Sequence, residues 1–209
     1  LHHILTAQTE PQVSGINGVE WDAVELPSQF LENFAWEHEI VKSISAHVET
    51  GEQLPDELFD KMIAAKNYEA GAFCVRQVEF ALFDMLLHSA FDPKTDSVQA
   101  LLDSVRREVA VVFPPAWNRF PQSFSHIFAG GYGAGYYSYK WAEVLSADCF
   151  SAFEEEGVLN PDTGRRYLKE ILERGSSRDA IDNFVAFRGR KPELDPLLRL
   201  SGIIESQKH

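Results

Sequence analysis

Cysteine is scarce in this 209-residue chain, and so are basic side chains and long apolar runs. The two cysteines, Cys74 and Cys149, form no CxxC or other metal-binding spacing. Each lies in an apolar stretch, Phe73-Cys74-Val75 and Asp148-Cys149-Phe150, so the expectation is two buried free thiols in a reducing, cytoplasmic setting. Lys and Arg number 19 against 32 Asp and Glu, a net charge of −13. Such a surface repels phosphate backbones and argues against a nucleic-acid partner. No apolar run approaches the roughly 18 residues of a membrane span. No signal-peptide pattern opens the chain, so no membrane partner is expected either. Hydrophobic residues make up 44%, enough for a real core at this length. The opening Leu1-His2-His3-Ile4-Leu5-Thr6 reads as the tail of an amphipathic helix, so the expectation is a fragment of a longer protein.

The periodicities are mostly helical. Residues 7–20 are polar, carry Gly15 and Gly18, and read as a loop with a short strand pair around Val13 to Val19. From Asp22 onward, Val24, Leu26, Phe30, Leu31, Phe34 and Ile40 recur at three- and four-residue spacings, which predicts a helix. Pro27 belongs in its first turn or kinks it. Residues 55–90, opened by Pro55 and Asp56, predict two helices joined near Asn67 or Gly71. Residues 96–111 predict another, stopped by Pro114-Pro115. After an aromatic, glycine-rich stretch over 116–135, a helix is predicted from about Tyr136 to Glu155, with Gly157 as its C-cap. Others follow from Asn160-Pro161-Asp162 to Gly175, from Asp179 to Phe187, and briefly after Pro192. Ser176 and Asp179 stand at capping-box spacing before the second of these. The fold class read from this pattern is mainly α, multi-helical, with little or no β-structure.

Three places could carry chemistry. On a helix, Asp22 and Glu25 share a face that continues to Gln29 and Glu32. That face is either a solvated acidic surface or a group gathered around a cation. The stretch from His126 to Tyr139 has four glycines in six residues, Gly130, Gly131, Gly133 and Gly135. Glycines there leave the backbone free to approach a ligand. Tyr132, Tyr136 and Tyr139, four and three apart, project from one side. They form either an aromatic core stripe or a set of phenols aimed into a cleft, where they can donate to a developing oxyanion. No GxGxxG follows a strand and no GK[ST] is present, which argues against a phosphate loop. His2 and His3, being neighbours, point to different helix faces and read as surface residues. His38, His88 and His209 read as surface or satisfied core residues.

Leu1-His2-His3-Ile4-Leu5-Thr6, Val24-Glu25-Leu26-Pro27-Ser28-Gln29-Phe30, Ala64-Ala65-Lys66-Asn67-Tyr68, the run from Ser123 to Tyr132 and Gly135-Tyr136-Tyr137-Ser138-Tyr139 together resemble the zinc metallopeptidase family of thimet oligopeptidase and oligopeptidase A. The similarity runs along nearly the whole chain. The resemblance implies that 1–209 is the C-terminal part of the catalytic domain. Residues 1–50 would hold the third zinc ligand, 51–115 a helical segment, and 116–209 the glycine–tyrosine substrate loop and last helices. In that family an HExxH helix supplies two zinc ligands and the glutamate that activates water. No HExxH occurs in this chain. The resemblance assigns the remaining zinc ligand to Glu25 and gives Asp22 the role of accepting from a zinc-bound imidazole. It excludes His2 and His3 as ligands. Tyr139 and Tyr136 fall on oxyanion-stabilising positions, and His126, Tyr132, Gly130 and Gly131 on substrate-binding ones. The implied reaction is zinc-dependent hydrolysis of short peptides inside a channel between helical domains. The missing N-terminal part of the same protein would complete the site, and this chain alone would be inactive, with zinc absent or weakly held. Two alternatives stay open: a dipeptidyl carboxypeptidase of the same family, and a non-enzymatic helical peptide-binding domain.

Overall fold

The computed structural model describes residues 1–204, and no strand occurs among them. The α-helices are α1 (His2–Leu5), α2 (Trp21–Val24), α3 (Leu26–Phe34), α4 (His38–Ile44), α5 (Asp56–Lys66), α6 (Ala70–Ser89), α7 (Val98–Val109), α8 (Phe120–Ser123), α9 (Ser125–Phe128), α10 (Ser138–Glu156), α11 (Pro161–Tyr167), α12 (Ala180–Arg188) and α13 (Asp195–Leu200). A π-helical turn, Leu168–Leu172, continues α11. None of the helices is long and apolar enough to cross a membrane. The described residues pack as two compact units, one of residues 1–68 and 141–204, the other of residues 69–140. These units cross the segments 1–50, 51–115 and 116–209, which follow motifs and not packing.

The first unit is built on α10. From Leu145 to Phe153 every side chain of this helix is buried, which explains why its sequence shows no clean polar face. Its Cys149, Phe150 and Phe153 meet Leu26 and Phe30 of α3, Tyr167 and Ile171 of the α11–π segment, and Phe184 and Phe187 of α12. Phe30 stands at the centre. Its ring stacks on Tyr167 at 4.0 Å and lies 5.3 Å from both Phe34 and Phe153. Burial pushes the Tyr167 phenol and the Cys149 thiol well above their ordinary values, so both stay neutral. Cys149 is thus the buried free thiol its sequence context predicts, whereas the free Cys74 is half-buried.

Asp148, on the same helix, has no solvent exposure. It accepts from Arg190 at 2.6 and 2.7 Å, from Arg188 Nε at 3.2 Å and from the Glu193 amide at 2.8 Å. A buried carboxylate survives only with such partners. The C-terminal stretch is thereby tied to the middle of α10.

Several helix ends are where local signals put them. Pro55 precedes α5, Asn160 Oδ1 caps α11 by accepting from Asp162 N at 2.9 Å, and α10 ends at Gly157 with φ +109°. The α5–α6 break falls at 67–69, with Glu69 in the left-handed region at φ 56°. Pro27 occupies the first turn of α3.

Two local expectations fail for one reason, the presence of distant partners, and a third fails through burial. No strand pair forms around Val13 to Val19. That loop consists of turns, with Gly15 and Gly18 at positive φ, and it bonds to the segment after the π turn. Ser176 N donates to Val13 O at 3.0 Å and Ser176 Oγ to Asn17 O at 2.7 Å. Ser176 therefore does not cap α12, and Asp179 makes no side-chain cap bond. The Glu20 carboxylate caps it instead, accepting from Ala180 N at 2.9 Å. His2 is buried, not at the surface, while His3 is exposed. Burial, with a smaller push from His3, lowers the His2 pKa and favours the neutral imidazole. His209 lies outside the described residues.

The second unit packs α6 against α7. Phe83, Leu102, Val105, Phe124, Ile127 and Tyr136 form its core. Glu79 of α6 is 1% exposed and pairs with Arg106 Nε at 2.9 Å and Arg76 at 3.1 Å.

Replacing Asp148 by Ala takes from Arg188 and Arg190 their shared buried carboxylate and leaves Arg188 only Glu155, at 2.9 Å. The expected loss is about 3 kcal/mol of unfolding free energy, the low end for a broken buried pair because Arg190 remains partly exposed. Urea unfolding followed by circular dichroism measures it; a change under about 0.5 kcal/mol would contradict the assigned role.

Candidate active site

The glycine-rich stretch gathers four of the residues singled out by sequence. α9 carries His126, a turn follows, and α10 starts at Ser138. Gly130 N donates to Ser125 O at 2.9 Å, and Tyr132 N donates to His126 O at 3.0 Å. These bonds reverse the chain and bring Tyr132 back beside His126. The reversal demands glycine at two places. A Cβ on Gly130 would lie 2.9 Å from His126 O, and Gly131 has φ +83°.

The result is a cluster of rings. Tyr132 and Tyr139 stack at 4.7 Å with an interplanar angle of 22°. Tyr136 and Tyr139 meet edge-on at 5.3 Å. The His126 ring lies 6.4 Å from Tyr132, 5.6 Å from Tyr136 and 5.9 Å from Tyr139. His126 is exposed, Tyr132 and Tyr139 are half-buried, and Tyr136 is buried. The stripe is therefore both core and surface: its inner ring packs against Phe124 at 4.9 Å, and its outer members reach solvent.

Tyr136 is also tied to α6. Its hydroxyl donates to Gln77 Oε1 on α6 at 2.9 Å. A phenol so engaged must break that bond before it donates to a ligand. The half-buried Tyr139 ring lies against both Tyr132 and the buried Tyr136. Asp84, also on α6, accepts from Ala134 N and Tyr136 N, both at 2.9 Å. Neither Gln77 nor Asp84 carries a sequence signal, because each acts across 50 to 59 residues of chain.

Asp22 and Glu25 lie in the other unit. Asp22 is in α2, and Glu25 closes that helix at φ −87° where α3 begins. Ser28 Oγ donates to Glu25 Oε2 at 2.7 Å and to Glu25 O at 3.0 Å. This local turn orients a half-buried carboxylate, which suits the part of a single oxygen ligand to a metal. A complete set is another matter. Among the described residues no group of three or more His, Cys, Asp and Glu side chains could hold a metal ion. The donors among the described residues do not fit a whole zinc site.

The model of peptidase family M3 matches residues 1–203. Among curated proteins, oligopeptidase A of Escherichia coli is 57% identical over 204 residues, and that of Salmonella typhimurium is 56% identical over 204; each match covers 97% of this chain and 30% of the relative. Oligopeptidase A of Haemophilus influenzae is 56% identical over 205 residues, again 30% of its length. The chain thus spans about a third of the length of these relatives.

Gly131→Ala forces a side chain into the left-handed region and should lower stability by about 1–2 kcal/mol. Gly71→Ala is the control. A Cβ there meets nothing within 4 Å, so the helix should gain about 0.5 kcal/mol. Urea midpoints of the two variants that shift alike would show that the Gly131 turn carries no special constraint.

Proposed function

Since the chain belongs to peptidase family M3, we propose that it supplies the glycine–tyrosine wall and one zinc ligand of a zinc-dependent oligopeptidase that cuts short peptides. The observation that carries the reading is the ring cluster itself: one imidazole and three phenols within 6.4 Å, at the end of a turn that only glycines allow.

In this proposal Tyr139 donates its hydroxyl to the oxyanion that develops on the scissile carbonyl. A phenol preset at that position gains strength as the negative charge grows, which lowers the barrier and not merely the binding energy. The exposed His126 and the half-buried Tyr132 hold the substrate backbone. Gly130 and Gly131 let a peptide approach the main chain closely. Tyr136 supports Tyr139 from beneath while Gln77 occupies its hydroxyl. Glu25 serves as one zinc ligand, and Asp22, three residues before it, accepts from a ligating imidazole. When bound, zinc supplies an activated water and polarises the carbonyl. The residues for the rest of that site are expected from the further length seen in the relatives. The protein is proposed to work in the cytoplasm on short peptides, in line with its two free cysteines.

In a full-length protein, Tyr139→Phe should lower kcat on an internally quenched peptide by about 10²–10³-fold with KM little changed. A loss confined to KM would move Tyr139 to a binding role. The present chain with added zinc should show no turnover beside the full-length protein. Cleavage by this chain alone would overturn the division of the site. Mass analysis of the products distinguishes internal cuts, expected here, from release of C-terminal dipeptides.

A further inference from the structure

The tyrosine segment is held by a carboxylate that no local pattern marks. Asp84 is 1% exposed, in the interior of α6. Its Oδ1 accepts from Ala134 N and its Oδ2 from Tyr136 N, each at 2.9 Å. These two amides flank Gly135, just before α10 begins, where no helical carbonyl is available to them. Asp84 thus performs the office of a capping side chain from 50 and 52 residues away. The grip matters because Ala134 is in the left-handed region at φ 56°, a conformation that an alanine keeps only when its surroundings impose it.

His88, one turn further along α6, closes the other side. Its Nδ1 lies 2.9 Å from Asp84 Oδ1 and also 2.9 Å from Asp84 O. A Cβ added to Gly133 would come within 3.1 Å of His88 Nε2 and 3.2 Å of Ile127 O. Asp84 and His88 therefore bracket residues 133–136 between a pair of hydrogen bonds and a steric stop. Tyr132 leaves this bracket on one side, Tyr136 and Tyr139 on the other. The 4.7 Å stacking of Tyr132 on Tyr139 spans the bracketed turn.

We propose that Asp84, backed by His88, is the positioning residue of this segment: it sets where the Tyr139 hydroxyl and the Tyr132 and His126 side chains stand when peptide is bound. The proposal rests on the peptidase reading for its catalytic part and on geometry alone for its structural part.

The test uses a full-length protein with Asp84→Ala and Asp84→Asn, read by peptide turnover and by hydrogen exchange of peptides covering 130–137 and 98–109. Removing the carboxylate should speed exchange in 130–137 by about tenfold or more while 98–109, in α7, stays protected. The kcat of Asp84→Ala should fall by about 10–100-fold with KM within about threefold, since small displacements of a positioned group weigh on the chemical step. Asp84→Asn keeps one carbonyl acceptor in the same shape, and its kcat should lie between the two. Should Asp84→Ala also expose 98–109, Asp84→Asn decides by the same readings. Unchanged exchange in 130–137 overturns the anchor. Faster exchange with unchanged kcat overturns the positioning role. A wild-type protein that cleaves no peptide would sink the peptidase reading, and the exchange result would still judge the anchor.

Discussion

A carboxylate removed from water must find donors in fixed places or lose its charge. Asp148, Glu79 and Asp84 are each at most 1% exposed, and each draws a distant stretch of chain to itself. Asp148 collects Arg188, Arg190 and the Glu193 amide. Glu79 holds Arg106, whose guanidinium also reaches Asn118 Oδ1 at 3.3 Å. Asp84 takes the amides of Ala134 and Tyr136. In each case a helix supplies the acid and another helix, a loop or a helix end supplies the donors. Irregular segments that bury little apolar surface of their own acquire a definite course in this way, because moving them would strand a buried charge.

The candidate site depends on the same device. Four rings could stack in many ways on a turn with four glycines. The turn closes through His126 O and Ser125 O, and α6 fixes the segment from behind through Asp84 and Gln77. Family M3 membership directs attention to peptide chemistry, and the geometry apportions it. The buried Tyr136, its hydroxyl on Gln77, stands apart from the outer Tyr132 and Tyr139. In the proposed zinc site the chain would offer the Glu25 carboxylate, oriented by Ser28; no complete ligand set occurs among the described residues.

Much of the helical order was legible because it arises from neighbours in the chain. Apolar spacing marked α3, α6 and α7, while Pro55, Asn160 and Gly157 marked boundaries through their own backbone preferences. The expected strand pair at 13–19 and the expected capping by Ser176 failed where atoms more than 150 residues away took over the backbone groups. A pattern reader has no access to such partners. The π turn at Leu168–Leu172 was equally silent, since Glu173 N reaches Leu168 O at 2.8 Å without any residue that signals it.

By itself the sequence determined that the chain is helical, acidic and thinly supplied with cysteine, that Glu25 lies beside a Pro-Ser-Gln turn, and that three tyrosines recur at helical spacing behind a run of glycines. These follow from residue type and from separations of three or four along the chain. Which tyrosine is buried, what accepts from the Tyr136 hydroxyl, what caps α12 and what holds the glycine segment were decided by tertiary structure alone. The reason is physical: a buried donor or acceptor takes whatever partner the packing brings within about 3 Å, and that partner's place in the chain is set by the fold and not by local sequence.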